Sequence, residues 1–128
     1  MIKGLHHNAY RCRDSEETRV FYEDFLGLPL VSAFEIDAAA AGPDTRALHT
    51  FFQMDDGSCL AFFEVPGLPF DFKEQNALDL HIALGVEPVT FEGMCRRRRQ
   101  KTERCAGRST MALFARSISA IPTVTSLN

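Results

Sequence analysis

The sequence lacks the features that would mark it for a membrane, for nucleic acid or for export. No apolar run is long enough to span a bilayer. The net charge of −3 is too small to favour nucleic acid or a membrane surface as a partner. The first residues show no secretory pattern, so we expect a cytoplasmic protein.

The four cysteines lack the spacing of a metal site. They form no Cys-x-x-Cys pair, and we interpret them as free thiols. The chain does contain enough apolar material for a core, because 45% of its 128 residues are hydrophobic and 24% are charged. This length favours one compact domain.

Two strand-like stretches, half a chain apart, each carry a histidine. The first contains His7 and is followed by Asp14, and the second contains His81 and is followed by Glu87. A unit that recurs in this way indicates two copies of one module. Histidines at matching places are what a metal centre shared by two modules would need. The two stretches are Leu5–Cys12 and Leu78–Leu84.

The signals for a helix follow the first strand. Asp14 is a good N-cap, and Glu17 stands where a capping box places its acid. The apolar residues Val20, Phe21 and Phe25 predict the buried stripe of this helix. Gly27 and Pro29 end it, since Gly favours the position after a helix and Pro prevents its continuation. A second helix is predicted to begin near Pro88.

Three further strands and their turns complete the first module. The fourth strand contains Glu64 in an otherwise apolar run, and a carboxylate there needs a cation or a donor if it faces inward. We expect one α+β domain over 1–128, with module one at 1–66, a linker at 67–77 and module two at 78–128. The predicted strands are Leu30–Ile36, Arg46–Met54 and Cys59–Val65.

After about Met94 the organisation of the sequence fails. The run Cys95–Lys101 has no apolar stripe, and Ser109–Asn128 has no convincing strand pattern. A run of arginines is typical of a solvated face, and a nuclear-localisation or nucleic-acid patch is the other reading. A third explanation needs only the genetic code.

A single lost base would account for the last quarter of the chain. If the codons of Thr110–Thr123 are read one base earlier, the genetic code permits HGFVRSIYFRDPNG. The same shift over Val124–Asn128 permits Tyr or His, two apolar residues and then a glutamate. We therefore hypothesise that one base was lost near the codons for Met94 and Cys95.

Three stretches of the chain resemble the vicinal oxygen chelate superfamily: HHNAYRCRDSEETRVFYEDFLGLPL, LAFFEVP and DLHIAL. This superfamily includes glyoxalase I, bleomycin-resistance proteins and extradiol ring-cleavage dioxygenases. The chain looks closest to small proteins related to biphenyl-2,3-diol 1,2-dioxygenase. The resemblance covers Leu5 to about Met94. It says little about the reaction, because this fold hosts several chemistries.

The resemblance implies paired βαβββ modules that form a cup around a divalent metal. The ligands of such a metal come from the first and fourth strands of each module. By position, this implies His7, Glu64 and His81 as ligands, followed by a glutamate on the last strand. That glutamate is missing here, and the shifted frame would restore it at the junction of Leu127 and Asn128.

The chemistry of such a site suits Fe2+ or Mn2+, with Zn2+ or Ni2+ as alternatives. A substrate with two adjacent oxygens would fill the open positions of the metal, which would act as a Lewis acid. Two histidines and one final carboxylate favour a ring-cleaving dioxygenase. Glu64 as a fourth ligand would favour a lyase, in which a carboxylate can act as the base.

Two other functions are compatible with the same residues. One is a non-enzymatic small-molecule-binding protein of the bleomycin-resistance type, and the other is a catalytically dead, frameshifted member. His7 and His81 would then be ordinary core histidines. Glu64 could likewise be a rim carboxylate paired with Arg11 or Arg46.

Two further histidines and the assembly complete the predictions. His49 shares a strand face with Phe51, where it could act in acid–base chemistry or support a ligand, or be an ordinary strand histidine. His6 is predicted to point away from His7, because neighbouring residues of a strand face opposite ways. We expect a homodimer, since an impaired second module leaves sheet edges and apolar surface to cover.

Overall fold

The computed structural model describes residues 1–72, 82–105 and 123–126. These belong to two compact units, Met1–Asp71 and Phe72–Asn128. Both units combine strands with helix, which confirms the predicted α+β class.

The first unit has the order strand, helix, strand, strand, strand. This is the βαβββ order expected for module one. A π-helical segment, Val20–Leu26, directly continues the first helix, and a 3-10 turn, Ala39–Ala41, lies between the second and third strands. The elements are β1 (His7–Arg11), α1 (Ser15–Arg19), β2 (Leu30–Asp37), β3 (Arg46–Gln53) and β4 (Cys59–Glu64).

The first and last strands of this unit are neighbours in one four-stranded sheet. The strand order is β1-β4-β3-β2, with β1 parallel to β4 and the other pairs antiparallel. His7 stands opposite Cys59, and Arg11 stands opposite Phe63. A parallel pair needs a long crossover connection, which here consists of the helix, β2 and β3.

The ends of the first helix follow the sequence signals. The Asp14 carboxylate accepts a hydrogen bond from Glu17 N at 2.7 Å, and Gly27 adopts a left-handed conformation with φ 89°. Both predictions are confirmed. Glycine suits that position because it lacks the Cβ that makes positive φ costly.

The buried stripe of this helix differs from the predicted one. The residues that are fully covered are Thr18, Tyr22 and Leu26, which recur every four positions, whereas the predicted Val20, Phe21 and Phe25 are only half-buried. The prediction assumed an α-helical period throughout. The segment from Val20 onwards is π-helical, and its wider turns shift which side chains face the sheet.

The core of the first unit lies between this helix and one face of the sheet. The Tyr22 ring lies 4.7 Å from the Phe62 ring and 5.4 Å from the Phe52 ring, measured between centroids. All three side chains are at most 1% exposed. We call this side of the sheet the helix face; it also carries Leu48, Thr50, Leu60 and Glu64.

The opposite side of the sheet carries the histidines. Strand alternation and the pairing register place His7, His49, Phe51 and Phe63 together on this side. We call it the histidine face. The two faces are separated by the thickness of the backbone, so a side chain on one face cannot share a ligand with a side chain on the other.

The second unit contains β5 (Ala83–Val86), α2 (Pro88–Cys105) and β6 (Thr123–Ser126). The start of α2 at Pro88 confirms the predicted helix. The predicted fifth strand began at Leu78, but 73–81 lie outside the described residues and the described strand extends to Val86. β5 pairs with β6 in parallel, as β1 pairs with β4.

The expectation that regular structure fails after Met94 is wrong in two places. The α2 helix continues through the arginine run to Cys105, since Arg, Lys and Gln are good helix formers even without an apolar stripe. Thr123–Ser126 forms a strand where the sequence shows no convincing strand pattern, because pairing with β5 overrides weak local preference. None of the helices in the described ranges combines the length and apolar character needed to cross a bilayer.

Candidate functional site

His7 occupies the start of β1 on the histidine face. Its side chain is half-buried, and its ring lies 5.1 Å from Phe51 and 5.8 Å from His49 between centroids. Both contacts are edge-to-face, which is a favoured arrangement of aromatic rings. His7 is thus held at the margin of an aromatic cluster, with part of its ring open to solvent.

His49 is at the centre of that cluster. It is 6% exposed, and its ring stacks on Phe63 with a centroid separation of 3.8 Å. Its Nδ1 lies 3.0 Å from the backbone carbonyl oxygen of Phe62. A carbonyl oxygen can only accept, so Nδ1 carries the proton and Nε2 is the ring atom with a free lone pair.

The environment of His49 favours its neutral form. Burial lowers the pKa of His49, the hydrogen bond to the Phe62 carbonyl opposes this shift, and the nearby His7 adds to it. A neutral imidazole with a fixed tautomer can accept a proton or support a neighbouring group. The predicted face-sharing with Phe51 is confirmed by a ring separation of 4.2 Å.

His6 lies against His7, contrary to the prediction that it points away. The two Nδ1 atoms are 2.6 Å apart, and the ring centroids are 4.9 Å apart. The prediction applied strand alternation to a residue that precedes the strand, since β1 begins at His7. Outside the strand the backbone is free to bring neighbouring side chains together.

Glu64 lies on the helix face, away from His7. In β4 it follows Phe63, which shares the face of His7, and it stands opposite Leu48 in β3. Its carboxylate accepts a hydrogen bond from Ser15 N at 2.7 Å. A carboxylate at the first turn of a helix is favourable because it faces unpaired backbone N–H groups.

This placement does not support Glu64 as a ligand of a metal held by His7. The sequence reading paired the fourth-strand position with the first-strand position, but the register puts Phe63, and not Glu64, on the shared face. The proposed ion pair with Arg46 is also not the one observed, since Arg46 bonds Glu35 at 3.3 Å. Glu64 is a residue that anchors the start of the helix.

A cavity of about 350 Å³ opens on the helix face beside this anchor. Its floor is apolar, and its rim carries the acidic residues at the start of α1 together with Arg19. The pocket is therefore on the side of the sheet opposite to His7. Its lining includes Asp14, Ser15, Leu48, Phe52 and Glu64.

The described residues do not supply a complete metal site. Within 1–72, 82–105 and 123–126, no group of three or more His, Cys, Asp or Glu residues could hold an ion. His7 offers an imidazole donor, and imidazole suits the transition metals expected here. His81 and the Leu127–Asn128 junction, the other predicted ligand positions, lie outside the described residues.

The fold of the first unit and the placement of His7 match one family of proteins. The model of the glyoxalase/bleomycin resistance protein/dioxygenase superfamily matches residues 4–103. The chain belongs to this superfamily, which confirms the resemblance drawn from the sequence. The match spans both units of the chain.

Several solved structures share this fold. FosX, a fosfomycin resistance protein of Listeria monocytogenes, was solved with Mn(II) and 1S,2S-dihydroxypropylphosphonic acid; it is 18% identical, with a TM-score of 0.56, and the match covers 80% of this chain and 71% of that one. FosX of Mesorhizobium loti is 21% identical, with a TM-score of 0.52 and coverages of 78% and 70%. A comparison with curated proteins found no match.

Sequence reasoning found His7 and His49 but missed the roles of His6 and Phe63. The signal for His6 was the position of the strand start, which the predicted range Leu5–Cys12 placed two residues too early. The signal for Phe63 was the register between β1 and β4. That register joins residues far apart in the chain and is not written in either strand alone.

Proposed function

We propose that this chain is of the divalent-metal-dependent type within its superfamily, acting on a small molecule with two adjacent oxygen atoms. In this proposal His7 is one metal ligand and His81 is a second. The observation that carries it is the position of His7 at the start of the first strand, half-buried on the histidine face. This is the first-strand position at which the family resemblance expects a ligand.

Two findings support the metal and the substrate class. The Listeria FosX structures contain Mn(II), one with a vicinal diol and another with sulfate. A metal that meets two adjacent oxygens acts as a Lewis acid on the bound molecule. Mn2+ or Fe2+ is the ion that we propose, held by imidazole donors and a carboxylate.

The described residues of this chain have separate roles in the proposal. His7 donates to the ion. Phe51 and Phe63, with the neutral ring of His49 between them, form an apolar wall beside His7. A dry wall strengthens electrostatic contacts with a bound anion and orients an aromatic or aliphatic substrate. Glu64 anchors the helix on the other side of the sheet.

The decisive experiment measures Mn2+ affinity of four purified proteins by calorimetry or electron paramagnetic resonance. We expect His7→Ala and His81→Ala each to weaken binding by more than the roughly 10–100-fold typical of changes outside the first coordination sphere. Glu64→Gln is the matched control, because it removes the charge but keeps the shape. An equal loss in Glu64→Gln and His7→Ala would contradict the assignment of the two faces.

The reaction class is tested with two substrates. A ring-cleaving dioxygenase would cleave a catechol in the presence of Fe2+ and O2, whereas a lyase of the glyoxalase type would isomerise a hemithioacetal. The location of Glu64 on the helix face removes the structural reason for choosing the lyase. Metal-dependent turnover of neither substrate class would remove both reaction types.

A second candidate function is non-enzymatic binding of a small aromatic molecule. It is favoured by the incomplete donor set among the described residues and by the aromatic rings around His49. In this case a ligand would bind with the same affinity with and without Mn2+, and His7→Ala would have little effect. Fluorescence or calorimetric titration of both proteins with a catechol separates the two functions.

We also propose that the chain forms a homodimer, and the cytoplasmic location stays a prediction. The strand β2 lies at one edge of the four-stranded sheet, and its Val31 and Phe34 side chains are nearly half exposed. An open edge with apolar side chains is a surface that a second copy can cover. Light scattering at high concentration tests this, and a monomer would contradict it.

A further inference from the structure

The two adjacent histidines at the start of β1 share a proton. His6 Nδ1 and His7 Nδ1 are 2.6 Å apart, which is a hydrogen-bond distance and well inside van der Waals contact. Two neutral imidazoles can approach this closely only if one nitrogen donates and the other accepts. The pair therefore fixes complementary tautomers for the two rings.

The proposed role of His7 decides which ring donates. A metal binds the nitrogen that carries a lone pair, so a His7 that bonds an ion through Nε2 must hold its proton on Nδ1. His7 Nδ1 then donates to His6 Nδ1. His6 carries its own proton on Nε2, which is free to face solvent because His6 is exposed.

We infer that His6 is a positioning residue, the hydrogen-bond acceptor that holds His7 in the tautomer required of a metal ligand. This inference rests on the proposed metal function and deepens it. Metal-binding histidines use their second nitrogen in this way, with a carboxylate, a carbonyl or water as the usual partner. Here the partner is an imidazole from the preceding residue, so no distant strand is needed to supply it.

The first test separates positioning from ligation by two substitutions at one site. His6→Ala removes the acceptor, and we expect Mn2+ affinity to fall by roughly 10–100-fold. His6→Asn keeps an acceptor oxygen near the place of Nδ1, and we expect most of the affinity to return. Asn8→Ala is the control, since Asn8 is the exposed neighbour of His7 on its other side.

Two outcomes would overturn the inference. If His6→Asn loses as much affinity as His6→Ala and His7→Ala, His6 is itself a ligand. If His6→Ala binds Mn2+ like the unmodified chain while His7→Ala does not, the metal function stands and the positioning role fails.

The second test needs no metal. Nitrogen-15 chemical shifts of the metal-free protein at pH 8 report the tautomer of His7. We expect the Nδ1-protonated form to dominate in the unmodified chain and to give way to the Nε2-protonated form, usual for free imidazole, in His6→Ala. The same tautomer in both proteins would overturn the inference even if the chain binds no metal, so its failure is distinct from failure of the proposed function.

Discussion

The first helix and α2 differ in how much each buries. In the first unit, Thr18, Tyr22 and Leu26 are buried at intervals of four residues along the helix. In α2, among the side chains described from Pro88 to Gln100, only Met94 is buried. A helix stripe against a sheet is what stabilises a small module, since propensity alone leaves isolated helices marginal.

The difference lies on the two sides of the point at which a lost base was inferred. Up to Met94 the chain carries the apolar periodicity of its family, and after it the helix consists of good helix formers without a buried face. The strand pairing nevertheless repeats, because β5–β6 is parallel as β1–β4 is. Regular backbone structure can therefore persist where the pattern of side chains that would cover it has been lost.

The largest effect is expected from restoring the reading frame near Met94. The corrected chain would regain a glutamate at the Leu127–Asn128 junction and the DPNG turn before its strand. We expect metal affinity and turnover to rise together, by more than the roughly 10–100-fold of an outer-sphere change. Metal content and catechol-cleavage rate are compared for the two chains. Coding DNA in which an added base opens no DPNG frame would reject the hypothesis.

The next effect tests the core of the first unit. Phe62→Ala removes a ring that is 1% exposed and contacts Tyr22 and Phe52, so the free energy of unfolding should fall by about 3–5 kcal/mol. Val89→Ala in α2 is the control, since Val89 is 70% exposed and should cost about 0.5 kcal/mol or less. Urea unfolding followed by circular dichroism gives both values. Comparable losses would contradict the contrast between the two units.

A smaller effect is expected at the N-terminus of the first helix. Asp14→Ala removes the acceptor for Glu17 N and should lower the free energy of unfolding by about 1 kcal/mol. Asp14→Asn keeps an acceptor oxygen and should cost much less. Both variants are measured by urea unfolding at pH 7. A full loss in Asp14→Asn would mean that charge, rather than capping, is responsible.

The smallest effect concerns acid stability. Hydrogen bonds from Arg19, and then from Leu30 N, hold the pKa of Glu23 below its usual 4.5. The folded state therefore binds this proton less readily than the unfolded state, and the stabilisation is present above pH 4.5 and disappears as the pH falls through the lowered pKa. Glu23→Gln should flatten the stability profile below pH 4.5 relative to neutral pH. An unchanged slope would contradict the role of this carboxylate.

Much of the first unit could be predicted from local signals. The Asp14 cap, the Gly27 stop and the βαβββ order are each encoded by a few neighbouring residues. The face of Glu64 could not be predicted, since it depends on the register of β4 against β1, strands far apart in the chain. His6 was misplaced because alternation holds only inside a strand, and the strand starts one residue later.

The parallel pairing of β1 with β4 also sets the order in which the chain can complete its structure. Partners such as His7 and Cys59 are separated by about 50 residues, so this pairing raises the contact order and slows folding. On a ribosome, which releases the chain from its N-terminus, β1 must wait unpaired until β4 emerges. His7 therefore acquires its surroundings only when the last strand of its module has been made, and a change of frame after Met94 leaves that event untouched.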